Sequence, residues 1–193
     1  WIAVVERLPI GDGRAWLGAR TRGTVLEVGV GTGRNLGFFP PLAQLTGVDV
    51  SPVMLRHARR RAASLGRAVD LQVADAERLP FSDERFDTVV FSLALCSIPD
   101  DGRALREASR VLRPGGRLLL LEHVRSRVRA VRAVQRVLDV VTSRLLCDHL
   151  VREPLDRLAA AGFQLEELHR SRLGIAERVQ ATKATGASRA KPV

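Results

Sequence analysis

The 193-residue chain contains no tyrosine, one methionine, two tryptophans and two cysteines. Cys96 and Cys147 lie far apart and form no C-x-x-C pair, which argues against a disulfide framework or a thiolate zinc site and favours a reducing cytoplasm. Lysine is nearly absent: of 31 basic residues only Lys183 and Lys191 are lysine, leaving 29 arginines. So strong an arginine bias also follows from a GC-rich coding sequence, so the net charge of +10 does not by itself specify nucleic acid or membrane as partner. No apolar run is long enough to span a bilayer, since the longest, 88–98, is interrupted by Ser92 and Ser97. The chain begins at Trp1 without an initiator methionine or an apolar signal-like segment, so further N-terminal residues are expected.

What is present is ordinary globular composition, with 46% hydrophobic and 27% charged residues, at a length suited to one core. Short apolar runs alternate with helical patterns. Strands are expected at 24–28, 45–50, 69–74, 88–91, 117–123, 163–169 and 178–185, and helices at 51–65, 101–112, 126–146 and 153–161. Ser51 followed by Pro52 is an N-cap and first-turn proline, and Arg113-Pro114-Gly115-Gly116 reads as a helix stop. This βα alternation predicts an α/β doubly wound, mostly parallel sheet with helices on both faces. The segment 126–152 is set apart as a helical lid or insertion, and 186–193 as a flexible tail.

The strongest chemical signal is Glu27-Val28-Gly29-Val30-Gly31-Thr32-Gly33, which follows a strand and is expected to open toward a helix. Its glycines permit sharp turns and close approach of a ligand to backbone N–H groups. The position of the third glycine of a dinucleotide fingerprint holds Arg34 instead, which opposes a nicotinamide-dependent oxidoreductase. Asp49, 22 residues beyond Glu27 at the end of the second strand, suits the two hydroxyls of a ribose. Asp75 adds a carboxylate for an adenine amino group, or serves as an Asx residue that caps its own loop.

Taken in order, 27–33, Val48-Asp49-Val50-Ser51 with Met54, Asp75-Ala76, Leu79-Pro80-Phe81 with Phe86-Asp87, and Arg110 to Gly116 make the chain resemble a class I S-adenosylmethionine-dependent methyltransferase. The resemblance is to the type 11 group, which includes quinone C-methyltransferases and phospholipid or thiol methyltransferases, and it covers residues 20–185. It implies a Rossmann-like seven-stranded sheet with an antiparallel last strand, making 1–185 a single domain. By the same resemblance Glu27, Gly29, Gly31 and Gly33 belong to the S-adenosyl-L-methionine loop, with S-adenosyl-L-homocysteine as product. Asp49 holds the ribose, Met54 packs on adenine, Asp75 and Ala76 address its edge, and Ser92 with Leu93 close over the methionine amine. Residues 1–20 would be the remnant of an N-terminal segment that lines the acceptor pocket.

Cys96, Glu122, His123 and His149 are the expected acceptor-pocket residues, and His123 and His149 the candidate bases, with a scaffold role the simpler account of each histidine. Residues 146–152 keep His149, Leu150 and Arg152 of a stretch found in the lipid and thiol branch but lack its small residues. No metal is implied. The expected acceptor is a small or lipophilic molecule, a quinone, phospholipid, thiol or secondary metabolite. The enzyme is expected to be cytoplasmic, with peripheral membrane contact through Arg125 to Arg136 as an option. A nucleic-acid methyltransferase is disfavoured because Phe91-Ser92-Leu93-Ala94 replaces the Asn/Asp-Pro-Pro-aromatic element and stacking aromatics are few. A cofactor-holding scaffold without turnover is the non-enzymatic alternative.

Overall fold

The computed structural model describes residues 12–129, 131–133, 135, 155–171 and 173–185. Its elements in chain order are α1 (Gly13–Arg20), β1 (Thr24–Val28), β2 (Gln44–Asp49), α2 (Pro52–Ser64), β3 (Val69–Val73), β4 (Phe86–Ser92), α3 (Asp101–Val111), β5 (Leu112–His123), α4 (Leu155–Leu158), β6 (Phe163–Arg170) and β7 (Ala176–Lys183). A short 3-10 turn, Leu95–Ser97, follows β4.

The seven strands form one sheet in the order β3-β2-β1-β4-β5-β7-β6. The first five pair in parallel, and β7 runs antiparallel between β5 and β6. The order reverses between β1 and β4, which opens a crevice at the carboxyl ends of those strands. β6 runs in the same direction as β5, so their carboxyl ends share that edge.

Alternation along the strands loads both faces, as expected. Leu26, Val28, Val89, Phe91, Leu118 and Leu120 pack with Leu105, Ala108 and Val111 of α3 and Leu158 of α4. Val25, Leu45, Val90, Leu119 and Leu121 pack on the opposite face with Leu17 of α1 and Leu55 and Ala62 of α2. Ser51 caps α2 by accepting from the Met54 N–H at 3.3 Å, with Pro52 in the first turn. Arg110 ties α3 to the loop before β4, donating to the Phe81 carbonyl at 2.7 Å and the Leu79 carbonyl at 3.0 Å.

Several expectations need correction. The glycine loop does not open into a helix: residues 31–39 pass through consecutive turns, with Leu36 N–H donating to Gly33 O and Phe38 N–H to Asn35 O. The fifth strand begins at Leu112, not 117, because Leu112 already pairs with Phe86, and Pro114-Gly115-Gly116 forms an irregularity within the strand. Of the helix expected at 153–161, Leu155–Leu158 is helical and the chain then passes into a turn up to Gly162, whose φ is +85°, while 153 and 154 lie outside the described residues. Helix α1 adds an element within 1–20. Of the helix expected at 126–146, residues 129, 131–133 and 135 are helical, and the rest of it lies outside the described residues, as does the tail at 186–193.

Candidate functional site

At the carboxyl ends of β1 to β4 lies a cleft of about 360 Å³, within the usual range of small-molecule sites. Val28 and Gly29 end β1, Val48, Asp49 and Val50 end β2, Ala74 to Glu77 follow β3, and Ala94 with Ser97 to Pro99 follow β4. Three carboxylates, Asp49, Asp75 and Glu77, therefore line one cleft of a chain whose net charge is +10.

Each wall is fixed by a specific contact. Gly29 N–H and Val30 N–H both donate to the Val48 carbonyl at 2.9 Å, which closes the loop onto β2. Asp49 holds it from the other side, accepting from Gly31 N–H at 2.8 Å through Oδ2 and from Ser51 N–H at 2.9 Å through Oδ1. Two glycines do different work. A Cβ on Gly29 (φ +72°) would stand 2.5 Å from the Ala94 Cβ, so this glycine admits the wall after β4. A Cβ on Gly31 (φ +52°) would meet nothing within 4 Å, so the loop there borders open space.

Asp75 adopts the Asx arrangement, its Oδ1 accepting from Glu77 N–H at 2.9 Å, while it also lines the cleft. Glu77 Oε1 accepts from Asp100 N–H at 2.9 Å and so links the loop after β3 to the start of α3. Behind the wall after β4, the buried Glu122 accepts through Oε1 from Ala94 N–H at 3.0 Å and Leu95 N–H at 3.1 Å. Leu93, at φ +55°, makes the sharp turn out of β4 and donates its N–H to the Leu121 carbonyl at 2.8 Å. Ser92 Oγ is buried there without a hydrogen-bond partner.

Glu27 projects to the α1 and α2 face, opposite its neighbours Leu26 and Val28. Asn35 Nδ2 donates to its Oε1 at 2.5 Å, and Arg14 donates in turn to Asn35 Oδ1. Its Oε2 is buried without a partner. Burial pushes the carboxyl up to about 7, with the Asn35 hydrogen bond and the Arg14 charge pulling down and the Asp49 charge adding to the rise.

Of the residues expected to hold cofactor, Gly29, Asp49, Asp75 and Ala76 line the cleft. Gly31 and Gly33 shape the loop beside it, Glu27 braces that loop from the opposite side, and Ser92 and Leu93 lie at the end of β4. Met54 is exposed in the first turn of α2 and does not line the cleft. Of the expected acceptor-pocket residues, Cys96 is buried within the 3-10 turn, Glu122 is buried behind it, and His123 pairs with Ala176 at the end of β5. None of these three lines the cleft, and His149 lies outside the described residues. Sequence reasoning missed Glu77 and the bracing role of Glu122. The signal for Glu77 was its place two residues beyond Asp75. Among the described residues no cluster of acidic, histidine or cysteine side chains is arranged to hold a metal.

Residues 26–120 match the family described as "Methyltransferase domain". The chain is similar to a phosphatidylethanolamine N-methyltransferase of Cereibacter sphaeroides, 37% identical over 118 residues that make up 60% of this chain and 58% of that one. It is also similar to the ubiquinone/menaquinone biosynthesis C-methyltransferase UbiE of Desulfotalea psychrophila, 42% identical over 103 residues, 52% of this chain and 41% of that one. The chain thus spans about half the length of the curated relatives it matches. In fold it is similar to the YcgJ protein of Bacillus subtilis, with a TM-score of 0.74 at 21% identity, covering 91% of this chain and 100% of that one.

Proposed function

We propose that this chain, residues 26–120 of which match a methyltransferase domain, is a class I S-adenosylmethionine-dependent methyltransferase that transfers a methyl group from S-adenosyl-L-methionine to a small or lipophilic acceptor. The observation that carries this reading is the cleft itself: three carboxylates among apolar walls, at the switch point of the sheet, in a strongly basic chain. A negatively charged recess of that kind favours a cationic ligand.

The residues present suit the cofactor. Asp49 has lone pairs left after its two backbone contacts, so it can also accept from ribose hydroxyls. Asp75 and Ala76 border the place for an adenine edge, with Ile98 and Pro99 as apolar cover. Open space at Gly31 leaves room for the methionine portion. When bound, the cofactor supplies a methyl group already activated on a sulfonium.

The chain's own contribution is then alignment and exclusion of water, for which orientation alone can supply roughly 7 to 11 kcal/mol. Glu122 acts by positioning, since it fixes the wall after β4 that the acceptor would meet. A base is needed only for an acceptor that arrives protonated, and His123 and His149 stay candidates for that role. On this reading residues 1–185 serve one domain. The similarity to a phospholipid and a quinone methyltransferase supports a lipophilic acceptor met at a cytoplasmic membrane surface. No helix among the described residues is long and apolar enough to cross a membrane.

The test is transfer of label from methyl-labelled S-adenosylmethionine into a cell extract separated into organic, aqueous and acid-precipitable fractions. Label in the organic fraction supports a quinone or lipid, and aqueous label a polar metabolite or thiol. Label confined to precipitated nucleic acid or protein refutes the acceptor class. Binding of cofactor without transfer from an extract replete in quinones and lipids refutes turnover by this chain.

A further inference from the structure

Beside the cleft, on the same edge of the sheet, lies a second recess of about 330 Å³. Arg125 and Arg127 enter it from the segment that leaves β5, Arg132 from the helical residues that follow, and Arg170 from the end of β6. Among the described residues Asp156 is the only carboxylate that lines it. Arg170 is paired with the buried Glu177 across the β6 and β7 ladder. The side chains of Arg127 and Arg132 make no ion pair among the described residues. Four guanidinium groups therefore line one recess, and those of Arg127 and Arg132 face it without an ion pair among the described residues.

The recess is built, not a chance crowding of surface side chains. Ser126 donates its N–H to Gln135 Oε1 at 2.8 Å and its hydroxyl to the Leu173 carbonyl at 2.6 Å, and Gln135 Nε2 returns to the Val124 carbonyl at 2.9 Å. Val124 N–H donates to the Ile175 carbonyl at 3.0 Å. These contacts lock the arginine-bearing segment 124–128 against the turn before β7, and Ser126 and Gln135 are both buried. Arg127 and Arg132, held on one recess in this way, repel each other less when an anion sits between them.

We propose that this recess binds a phosphate group, held by Arg125, Arg127, Arg132 and Arg170. Guanidinium forks match phosphate oxygens in pairs, which a ring of carboxylate-recognising lysines would not do. The group is borne either by a soluble phosphorylated molecule or by a phospholipid headgroup. β5 adjoins β4, and β6 lies three strands from it, so the recess begins roughly 5 Å and ends roughly 15 Å from the cleft wall along the edge. A molecule anchored there by its phosphate can present another atom to the cleft. The inference rests on the methyltransferase reading only for that use, because phosphate binding is measured without turnover.

The experiment titrates the full chain with inorganic phosphate at low ionic strength, and in parallel sediments it with phosphatidylglycerol or phosphatidylcholine vesicles. A double variant, Arg127→Gln with Arg132→Gln, alters partly exposed side chains and keeps the fold. Saturable phosphate binding that weakens at least about tenfold in this variant supports a soluble ligand. Sedimentation with phosphatidylglycerol but not phosphatidylcholine, lost in the variant and without binding of inorganic phosphate, supports the headgroup. Asp156→Asn removes the opposing carboxylate and tightens whichever binding is seen. Failure of both probes, or binding that the double variant leaves unchanged, overturns the proposal. S-adenosylhomocysteine affinity, read on the same samples, reports the cleft separately: its loss in the unaltered chain counts against the methyltransferase reading and not against the recess.

Discussion

Replacing Glu27 by glutamine tests whether a buried carboxyl braces the glycine loop in its protonated form. Burial raises this group from 4.5 to about 7 in the folded chain, against the Asn35 hydrogen bond and the Arg14 charge. Between those two values the folded chain keeps a proton that the unfolded chain has released, so stability falls as pH rises and the full penalty is reached above about pH 7. The difference corresponds to about 3 kcal/mol, most of it between about pH 5 and pH 8. In Glu27→Gln nothing titrates at this position. Asn35 can still donate to the remaining oxygen, and the new amide meets the place where Oε2 had no partner, which costs about 1 to 3 kcal/mol at every pH. The slope is therefore the informative quantity, and the histidines contribute equally to both proteins. Urea denaturation across this range should show the wild type losing about 3 kcal/mol more than the variant on alkalinisation. Parallel profiles would refute the assignment of a protonated, buried Glu27.

The other walls of the cleft give sharper contrasts. Asp49→Ala removes the acceptor for two backbone N–H groups and one of three cleft carboxylates, so it should cost about 1 to 3 kcal/mol of stability by denaturation and weaken S-adenosylhomocysteine binding by calorimetry. Gly29→Ala must displace Ala94 and adopt a left-handed backbone, whereas Gly31→Ala faces open space and bears only the backbone cost of about 1 kcal/mol. The first should therefore lower the melting temperature by clearly more than the second. Glu122→Ala leaves the buried Ala94 and Leu95 N–H groups without their acceptor, a loss of about 2 to 4 kcal/mol in denaturation, and Glu122→Gln should recover much of it because one oxygen remains to accept both.

The strands were legible because each is a short apolar run closed by turn residues, and helix α2 because Ser51 and Pro52 mark its start within two residues. Asp49 and Asp75 could be placed on the cleft from their position after strands alone. What could not be read are contacts that join positions with no shared period. Arg14, Asn35 and Glu27 meet only because α1 packs over the loop that leaves β1. The turns at 31–39 replace the expected helix because positive φ at Gly31 and Gly33 bends the chain where a helix would have to start. Leu112 extends β5 because pairing with Phe86 outweighs the local turn chemistry of Pro114 and the glycines that follow. Likewise Arg132 and Arg170 are 38 residues apart and line one recess because β6 runs in the same direction as β5, so both strands end at the same edge of the sheet.

The insertion of β7 between β5 and β6 explains how opposite charges coexist on one edge of the sheet. Asp49 ends β2, and Asp75 and Glu77 follow β3, while Arg125 and Arg127 follow β5 and Arg170 ends β6. Were β7 absent, β6 could pair directly with β5 and its terminal Arg170 would be drawn one strand nearer the acidic cleft. With β7 between them, Glu177 at its start satisfies Arg170, and the remaining guanidinium groups are held away from the carboxylates. The edge is thereby divided into a region suited to a cation and a region suited to an anion, separated by about the length of a small polar molecule. An acceptor that carries a phosphate at one end and a nucleophilic atom at the other is the class of molecule whose charge follows that division.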